Sequence, residues 1–399
     1  MISNIDSYLS EHYDVIIVGG GLAGTIAAQF AAKGGAKVIL FERDSLIGEP
    51  VRCGEGVSKR GIIGYVPLNG PWIANTIKTV EFIAPDGTAV RLKSSMIGYI
   101  LNRALFDRLL GTKAEQNGAR IVTQADVVTI ITNNNRISGV IVDYNGRQCE
   151  VYGRIIIGAD GVESRIARWA GLNTLTKLEN MESSLQIKAE NITVDAGVCR
   201  FYFGREIAPG GYLWVFPKND NSANIGVGIS GKYAQEKPAE HYLVQFMGRY
   251  FPDAKWTSVI AGGVPCNPPL KELTIGNVMA AGDAGHQVNP LTGAGIANAL
   301  QAGRIAGETA AEAIHLSEPL EKSLTRYTRR WYRGRGRFHK SSMNLRNFVF
   351  ELDDNALNKL AYTMHKTPQN EWSMLKLFLC VIHKRPDLLV DCMKLFRKF

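Results

Sequence analysis

Residues 13–24 read YDVIIVGGGLAG, a short β-branched run that empties into glycines and then into the Ala-rich stretch LAGTIAAQFAAK at 22–33. Gly34 and Gly35 follow, and KVILF at 37–41 is a second apolar run of strand length. Strand, turn, helix, turn and strand in this order make a parallel βαβ unit. In Gly19-Gly-Gly21-Leu-Ala-Gly24 the first glycine permits a tight turn, Gly21 lets the backbone approach a pyrophosphate, and Gly24 lets the helix pack closely on the strand. The helix N-terminus then offers free N–H groups to the phosphates. Glu42, eighteen residues after Gly24, ends the second strand, where a carboxylate accepts hydrogen bonds from ribose hydroxyls. Gly19, Gly21, Ala23, Gly24 and Glu42 are therefore candidate dinucleotide contacts. Position makes this string informative, as its second occurrence demonstrates. Gly226-Val-Gly-Ile-Ser-Gly231 lies inside the strand-like run NIGVGIS, with no helix pattern and no suitably spaced acid. It reads as a glycine-rich strand packed close to something, so no second nucleotide site is expected.

Two further glycine-acid motifs follow apolar strands: Gly158-Ala-Asp160-Gly161, and Ala281-Gly282-Asp283-Ala-Gly285 with Pro290-Leu-Thr-Gly293-Ala-Gly295 opening a helix. With these three motifs in order, residues from about 12 to 310 resemble the flavoprotein family that contains the aromatic hydroxylases and the geranylgeranyl reductases. The resemblance implies FAD as cofactor. It assigns the AMP half to the first motif, places Asp160 and Gly282 at the cofactor, and gives Asp283 the ribityl and pyrophosphate region. The backbone of Gly295 and Ile296 is expected along the isoalloxazine at a helix N-terminus, where the dipole favours an anionic reduced flavin. Arg103, opening the helix after ILN at 100–102, is expected to reach the phosphates or ribose; the bland alternative is a solvated helix-terminal arginine. Val127 is expected beside the adenine.

Pro50-Val-Arg-Cys53-Gly54-Glu-Gly56 is the most discriminating stretch, because the fold does not require glycines flanking a thiol and a carboxylate. It is similar to the PVxCGEG loop of archaeal geranylgeranyl reductases, whose backbone wraps the flavin and whose cysteine faces the reactive ring. Cys53 can hold the alkene or deliver a proton, or simply be a small thiol fitting beside the ring; Glu55 can be no more than a salt-bridged loop carboxylate. The stretch Tyr212-Leu-Trp214-Val-Phe216-Pro resembles the YxWxFP element of the same reductases. Strand alternation puts Tyr212, Trp214 and Phe216 on one face, an apolar wall suited to an isoprenoid chain. The chain departs from the family at Gly282-Asp-Ala-Gly-His286 and Thr292-Gly-Ala294-Gly-Ile296. His286 is expected near the flavin and substrate as a proton donor, or else as a structural histidine capping its turn.

The whole is an α/β protein, α+β overall. It has a Rossmann-like FAD-binding domain of the aromatic-hydroxylase type at 1–76, 100–180 and 275–315, and an antiparallel-sheet substrate domain at 77–99 and 181–274. A basic helical region at 316–399, with the large apolar and aromatic residues Trp331, Tyr332, Phe348, Trp372, Leu375, Leu377 and Phe378 interspersed, completes the chain. A hairpin is expected near residues 79–93, turning at Pro85-Asp-Gly87. Six cysteines at wide intervals with no CxxC pair fit neither a disulfide framework nor a zinc site, and point to a reducing compartment. The first residues, MISNIDSYLSEHYD, lack the apolar core of a signal peptide, and no run is long enough to span a bilayer. Net charge is +9, but residues 322–399 hold 17 basic and 6 acidic residues, leaving 29 against 31 for the rest. A cytoplasmic protein is the expectation, with this segment either docked on the anionic inner face of the membrane or a helical region whose positive face is merely solvated.

The resemblance implies reduction of carbon–carbon double bonds in geranylgeranyl chains of an archaeal ether lipid. Hydride passes from N5 of reduced FAD to one alkene carbon, and a proton from water, Cys53 or a nearby acid reaches the other. An unactivated alkene offers no carbonyl to polarise, so catalysis falls to placement in a dry pocket, consistent with the lack of a triad or metal cluster in the sequence. The electron donor is ferredoxin, NAD(P)H or another reduced carrier. A flavin monooxygenase is the alternative reading. A flavin-binding body with an RNA-binding arm at 333–337 (RGRGR) is the reading of another class; the tract matches no folded RNA-binding motif, and no nucleic-acid partner is expected.

Overall fold

The computed structural model describes residues 8–134 and 136–366. Trp372, Leu375, Leu377 and Phe378, read above as part of the helical tail, lie outside the described residues, as do Cys380 and Cys392. Two eight-stranded sheets carry the molecule.

In the first sheet His12–Val18 pairs in parallel with Val38–Phe41 on one side and with Arg147–Gly158 on the other. Arg120–Val122 and Val278–Ala280 extend it in parallel outward, and Thr274–Ile275 closes one edge antiparallel. These strands are covered on both faces, which is why they read as unbroken apolar runs. On one face Val15, Ile17, Leu40, Ile157 and Met279 pack under the helices Leu22–Lys33 and Ile296–His315. On the other, Ile16, Val18, Ile39 and Phe41 meet Val127, Val140, Val142 and Val151. Those last four belong to Ala125–Asn133, Arg136–Tyr144 and the first half of Arg147–Gly158, an antiparallel extension of the same sheet. Each fully buried Ile, Leu or Val is worth roughly 1.5–3 kcal/mol, so these alternating faces hold the sheet in one register. The two helices touch backbone to backbone: a Cβ on Gly303 would lie 2.2 Å from the carbonyl oxygen of Ala23.

In the second sheet the hairpin Ile73–Ile83 and Ala89–Leu101 is longer than the sequence signalled, and short Gly56–Ser58 pairs with it. Both hairpin strands thus belong wholly to this sheet, not only over the expected 77–99. Val198–Tyr202 lies parallel to the hairpin, and Tyr212–Pro217, Ser222–Ser230, Met181–Glu190 and Lys255–Pro265 follow antiparallel. One face of this sheet buries Leu213, Val215, Ile225 and Val227 beneath the helix Ala239–Tyr250. That helix was not anticipated from the sequence, although Ala239, Tyr242, Leu243, Phe246 and Met247 recur at helical spacing.

Beyond residue 316 the chain is helical as expected, in Leu320–Arg333, His339–Glu351 and Asp354–Lys366. Leu324, Tyr327 and Trp331 bury into the core of the first sheet, and the Tyr327 hydroxyl donates to the carbonyl of Ala280 at 3.0 Å. Part of the positive block is neutralised internally. Arg326 pairs with Glu318, Arg330 with Glu312, and Arg346 with Glu182 in a pair whose side chains are 5% and 10% exposed. Among the described residues no helix is long and apolar enough to cross a membrane.

Candidate active site

A cleft open to solvent runs past the C-terminal ends of the first sheet's parallel strands. That is where the order of an open α/β sheet leaves room for a ligand. Its floor is the glycine turn. Gly19 has φ +103°, and a Cβ on Gly24 would lie 1.9 Å from the Gly19 carbonyl oxygen, so neither position admits another residue without displacing the turn. A Cβ on Gly21 would meet no protein atom within 4 Å, because Gly21 faces the open cleft at the N-terminus of its helix. Glu42 stands in the same wall with its carboxylate turned to main chain: Oε2 accepts from Gly20 N at 2.6 Å and Oε1 from Asp44 N at 2.8 Å.

Val127 and Asp160 also line the cleft. Asp160 Oδ2 accepts from Ile166 N at 3.0 Å while its buried Oδ1 has no protein partner. Burial pushes this carboxyl above its ordinary range, against the pull of the Ile166 N–H. Arg103 is not the solvated arginine of the bland reading. Its side chain is 14% exposed, and Nε and Nη2 grip Asp107 at 2.7 Å each, a bidentate pair on the cleft wall. Burial acts to lower the Arg103 pKa, but the Asp107 carboxylate and the Cys53 sulfur more than offset it and hold it up.

The Gly282-Asp283 turn lies opposite, close to the start of the helix Ile296–His315. A Cβ on Gly295 would sit 3.6 Å from Asp283 Oδ1, and burial raises the Asp283 pKa while Arg103 draws it down. Gly282 itself has φ +71°, and its N–H donates to Gln287 Oε1 at 2.7 Å.

The PVRCGEG loop leads from this cleft, which its Pro50, Val51 and Arg52 line, onto the other face of the second sheet. Tyr212, Trp214 and Phe216 share that face, with ring centroids 6.0 and 6.3 Å apart along the row, and Phe201 completes it 5.4 Å from Tyr212. The glycine-rich strand expected to pack against something packs against this row: a Cβ on Gly226 would come 2.3 Å from Trp214 Cζ2. The PVRCGEG loop lies on the same aromatics. Cβ atoms on Gly54 and Gly56 would approach Phe216 Cε2 to 3.1 and 3.0 Å. Tyr212 donates its hydroxyl to the carbonyl of Thr292 at 2.6 Å, which ties the TGAG loop to the row. Three stretches of sequence far apart in the chain therefore converge at one end of the cleft.

Cys53 sits half-buried in this junction. Glu55 N donates to its Sγ at 3.2 Å, and burial pushes the thiol up, with Arg103 pulling the other way. Glu55 is the salt-bridged loop carboxylate, and more. It has φ +70°, is buried, pairs with Lys218, and accepts from Arg103 N at 2.8 Å and from Asn224 Nδ2. Gln186, Asn224 and Lys218 were missed as site residues. Lys218, two residues past Phe216, and Asn224, two before Gly226, offered a signal by alternation, whereas Gln186 offered none. His286, expected near flavin and substrate or else as a structural histidine, has φ +52° and a buried ring whose Nε2 meets the Thr174 carbonyl at 3.0 Å.

The description of the geranylgeranyl reductase catalytic domain matches residues 180–264, and that of FAD-dependent oxidoreductases matches residues 14–199. Digeranylgeranylglycerophospholipid reductase 1 of Methanococcoides burtonii is 36% identical over 392 residues, covering 97% of this chain and 96% of that one. The reductase of the same name from Methanocella arvoryzae is 35% identical over 387 residues, covering 96% and 99%. Among solved structures, a geranylgeranyl bacteriochlorophyll reductase-like protein of Thermoplasma acidophilum superposes with a TM-score of 0.90 at 31% identity, over 96% of this chain and 99% of that one. A flavin-dependent brominase, with a TM-score of 0.70 at 16% identity over 96% of this chain and 94% of that one, shares the fold alone. By identity over nearly its whole length, the chain belongs to the digeranylgeranylglycerophospholipid reductase family of FAD-dependent oxidoreductases.

Proposed function

We propose that the protein reduces the carbon–carbon double bonds of the geranylgeranyl chains of a digeranylgeranylglycerophospholipid, with FAD as its cofactor. The observation that carries this reading is that one loop joins the two parts: its Pro50, Val51 and Arg52 line the dinucleotide cleft, and its Cys53, Gly54 and Gly56 lie between Arg103 and the row Tyr212, Trp214 and Phe216. The residues present fit FAD. The helix N-terminus at Gly21 is open to a pyrophosphate, and the unpartnered Asp160 Oδ1 is a buried acceptor awaiting a donor. In this reading Gly19, Gly21, Ala23 and Gly24 hold the pyrophosphate with Arg103. Glu42 takes the adenosine ribose, Val127 borders the adenine, and Asp160, Gly282 and Asp283 hold the middle of the cofactor. Gly54, Gly56, Gly295 and Ile296 border the flavin ring. The first sheet and its helices thus serve the cofactor, and the second sheet the lipid.

Bound FAD supplies the hydride that reduces the alkene. The protein's part is to exclude water with the aromatic row, to align the double bond beside Cys53, and to provide the proton. Because burial keeps the Cys53 thiol protonated at neutral pH, Sγ holds a proton for the second alkene carbon, and the Arg103 guanidinium stabilises the sulfur as the proton leaves. Electrons enter from a diffusible carrier, ferredoxin or NAD(P)H. Arg329, Arg333, Arg337 and Lys340, exposed at intervals of three or four residues, are the part of the basic segment suited to an anionic inner leaflet of the membrane.

Anaerobic mixing of the reduced holoprotein with the lipid tests the proposal. Lipid-dependent flavin reoxidation with stepwise gains of two hydrogens in the lipid is expected, and a flavin that stays reduced overturns it. Sedimentation with anionic liposomes, lost at high salt, tests the surface contact.

A further inference from the structure

Trp214 and Cys53 are joined through one side chain. The indole Nε1 donates to Gln186 Oε1 at 3.0 Å, and Gln186 Nε2 donates to the Cys53 carbonyl at 2.9 Å. The amide is buried, 7% exposed, so both bonds are made away from bulk water. A carboxamide suits this place because it accepts at one atom and donates at its neighbour without carrying charge. Register fixes one end of the bridge. Gln186 and Trp214 both pair with Gly226, whose lack of a Cβ lets the indole lie flat between them. The other end is the peptide that carries the thiol.

The rest of the loop is anchored separately. Glu55 is tied to Arg103 N, Asn224 and Lys218, and its own carbonyl accepts from Leu101 N at 2.9 Å. Removing the Gln186 amide therefore frees the Cys53 peptide while leaving the loop attached.

We propose that Gln186 is a positioning residue: its amide sets the Cys53 peptide at a fixed depth over the aromatic row, and through it the thiol's place beside the alkene. The inference rests on the reading of Cys53 and the row as the lipid site. It adds a residue that acts through Cys53 and Trp214 and touches neither cofactor nor reacting atoms.

Two variants test it in the FAD-loaded protein. In Gln186→Glu the ionised carboxylate still accepts from the indole but has no proton for the Cys53 carbonyl; protonated, it accepts and donates as the amide does. The rate of lipid-dependent flavin reoxidation in this variant is expected to fall about tenfold at neutral pH and to recover as pH falls, relative to the native protein at each pH. Gln186→Met, of similar length and without polar atoms, is expected to stay low at every pH, with kcat reduced and KM little changed. Alkylation of Cys53 by iodoacetamide, followed by mass spectrometry of its peptide, is expected to quicken in Gln186→Met as the loop loosens. Native rates, a flat pH ratio in Gln186→Glu and unchanged alkylation would overturn the role. A native holoprotein that leaves the lipid unreduced would sink the functional reading instead, and the alkylation comparison would still decide whether Gln186 holds the Cys53 peptide.

Discussion

The two sides of the cleft are built from different materials. On the first sheet the ligand-facing surface is built on main chain, with charged side chains such as Asp160 and the Arg103–Asp107 pair around it: the turn at Gly19–Gly24, the helix N-terminus at Gly21, and backbone N–H groups gathered by Glu42. On the second sheet it is side chain: three aromatics, a thiol, and the amides of Gln186 and Asn224 that bind loop to strand. A main-chain surface recognises what phosphates and ribose share, whatever the substrate, whereas a side-chain surface is shaped to one class of molecule. The difference predicts that damage to the first side removes the cofactor, and that damage to the second removes the chemistry while the cofactor stays.

The largest effect is expected from Gly24→Val. Its Cβ falls 1.9 Å from Gly19 O, and relieving that clash must open the turn. Overpacking of this kind costs on the order of 3 kcal/mol, so the purified variant should melt lower and carry no FAD by absorbance. A variant retaining full flavin would show that the turn does not define the cofactor side. Next is Cys53→Ala. Loss of a positioned proton donor lowers rates by about a hundredfold, so single-turnover lipid reduction should fall to that degree with flavin content unchanged. Parallel loss of FAD would mean that the PVRCGEG loop belongs to the cofactor side instead.

Gly226→Val sharpens the same comparison at lower amplitude. The new side chain collides with the Trp214 indole, its Cβ falling 2.3 Å from Cζ2. Tilting the indole breaks its bond to Gln186, and a loss of about tenfold in lipid reduction is expected while bound FAD keeps its absorbance. Flavin loss in step with activity would count against a separate lipid-facing wall.

The same contrast explains what could be read from the chain. The βαβ unit was legible to within one residue, its helix Leu22–Lys33 without error, because a turn, a helix start and a close approach are settled by neighbours in sequence. That Tyr212, Trp214 and Phe216 share a face was legible from alternation alone. What they face was not, since Gln186 meets Trp214 only through the pairing of strands 28 residues apart and Cys53 across 133. No local pattern encodes such a register. Nor does composition tell which charges of the last segment reach the surface. Composition counts Arg346 as surface charge, whereas the fold buries it against Glu182, 164 residues away.

The loop from Gly282 to Gly295 touches both sides, and two histidines brace it. His286 meets the Thr174 carbonyl, and His339 meets the Val288 carbonyl at 2.8 Å. Burial holds both below their ordinary pKa of 6.5, the neighbouring carbonyls pulling weakly the other way. Between the lowered folded values and the ordinary one, the unfolded chain binds protons that the folded chain does not. Their contribution to stability is thus fully present above about pH 6.5 and is lost as pH falls through that point, by up to about 1.4 kcal/mol per pH unit for each histidine. His339→Gln can still donate to Val288 and removes one of the two titrations. Its urea midpoint, measured between about pH 7.5 and 5.5, should fall less steeply than that of the native protein. An unchanged slope would mean that the brace does not titrate in this range, and that acid acts on the cleft through Asp160 and Asp283 instead. Burial raises both of those carboxyls, so the sign at them is opposite: protonation on acidification favours the folded form. The histidines and the buried carboxyls of this region, Asp283 of the same loop included, are therefore separable by the direction in which each answers to protons.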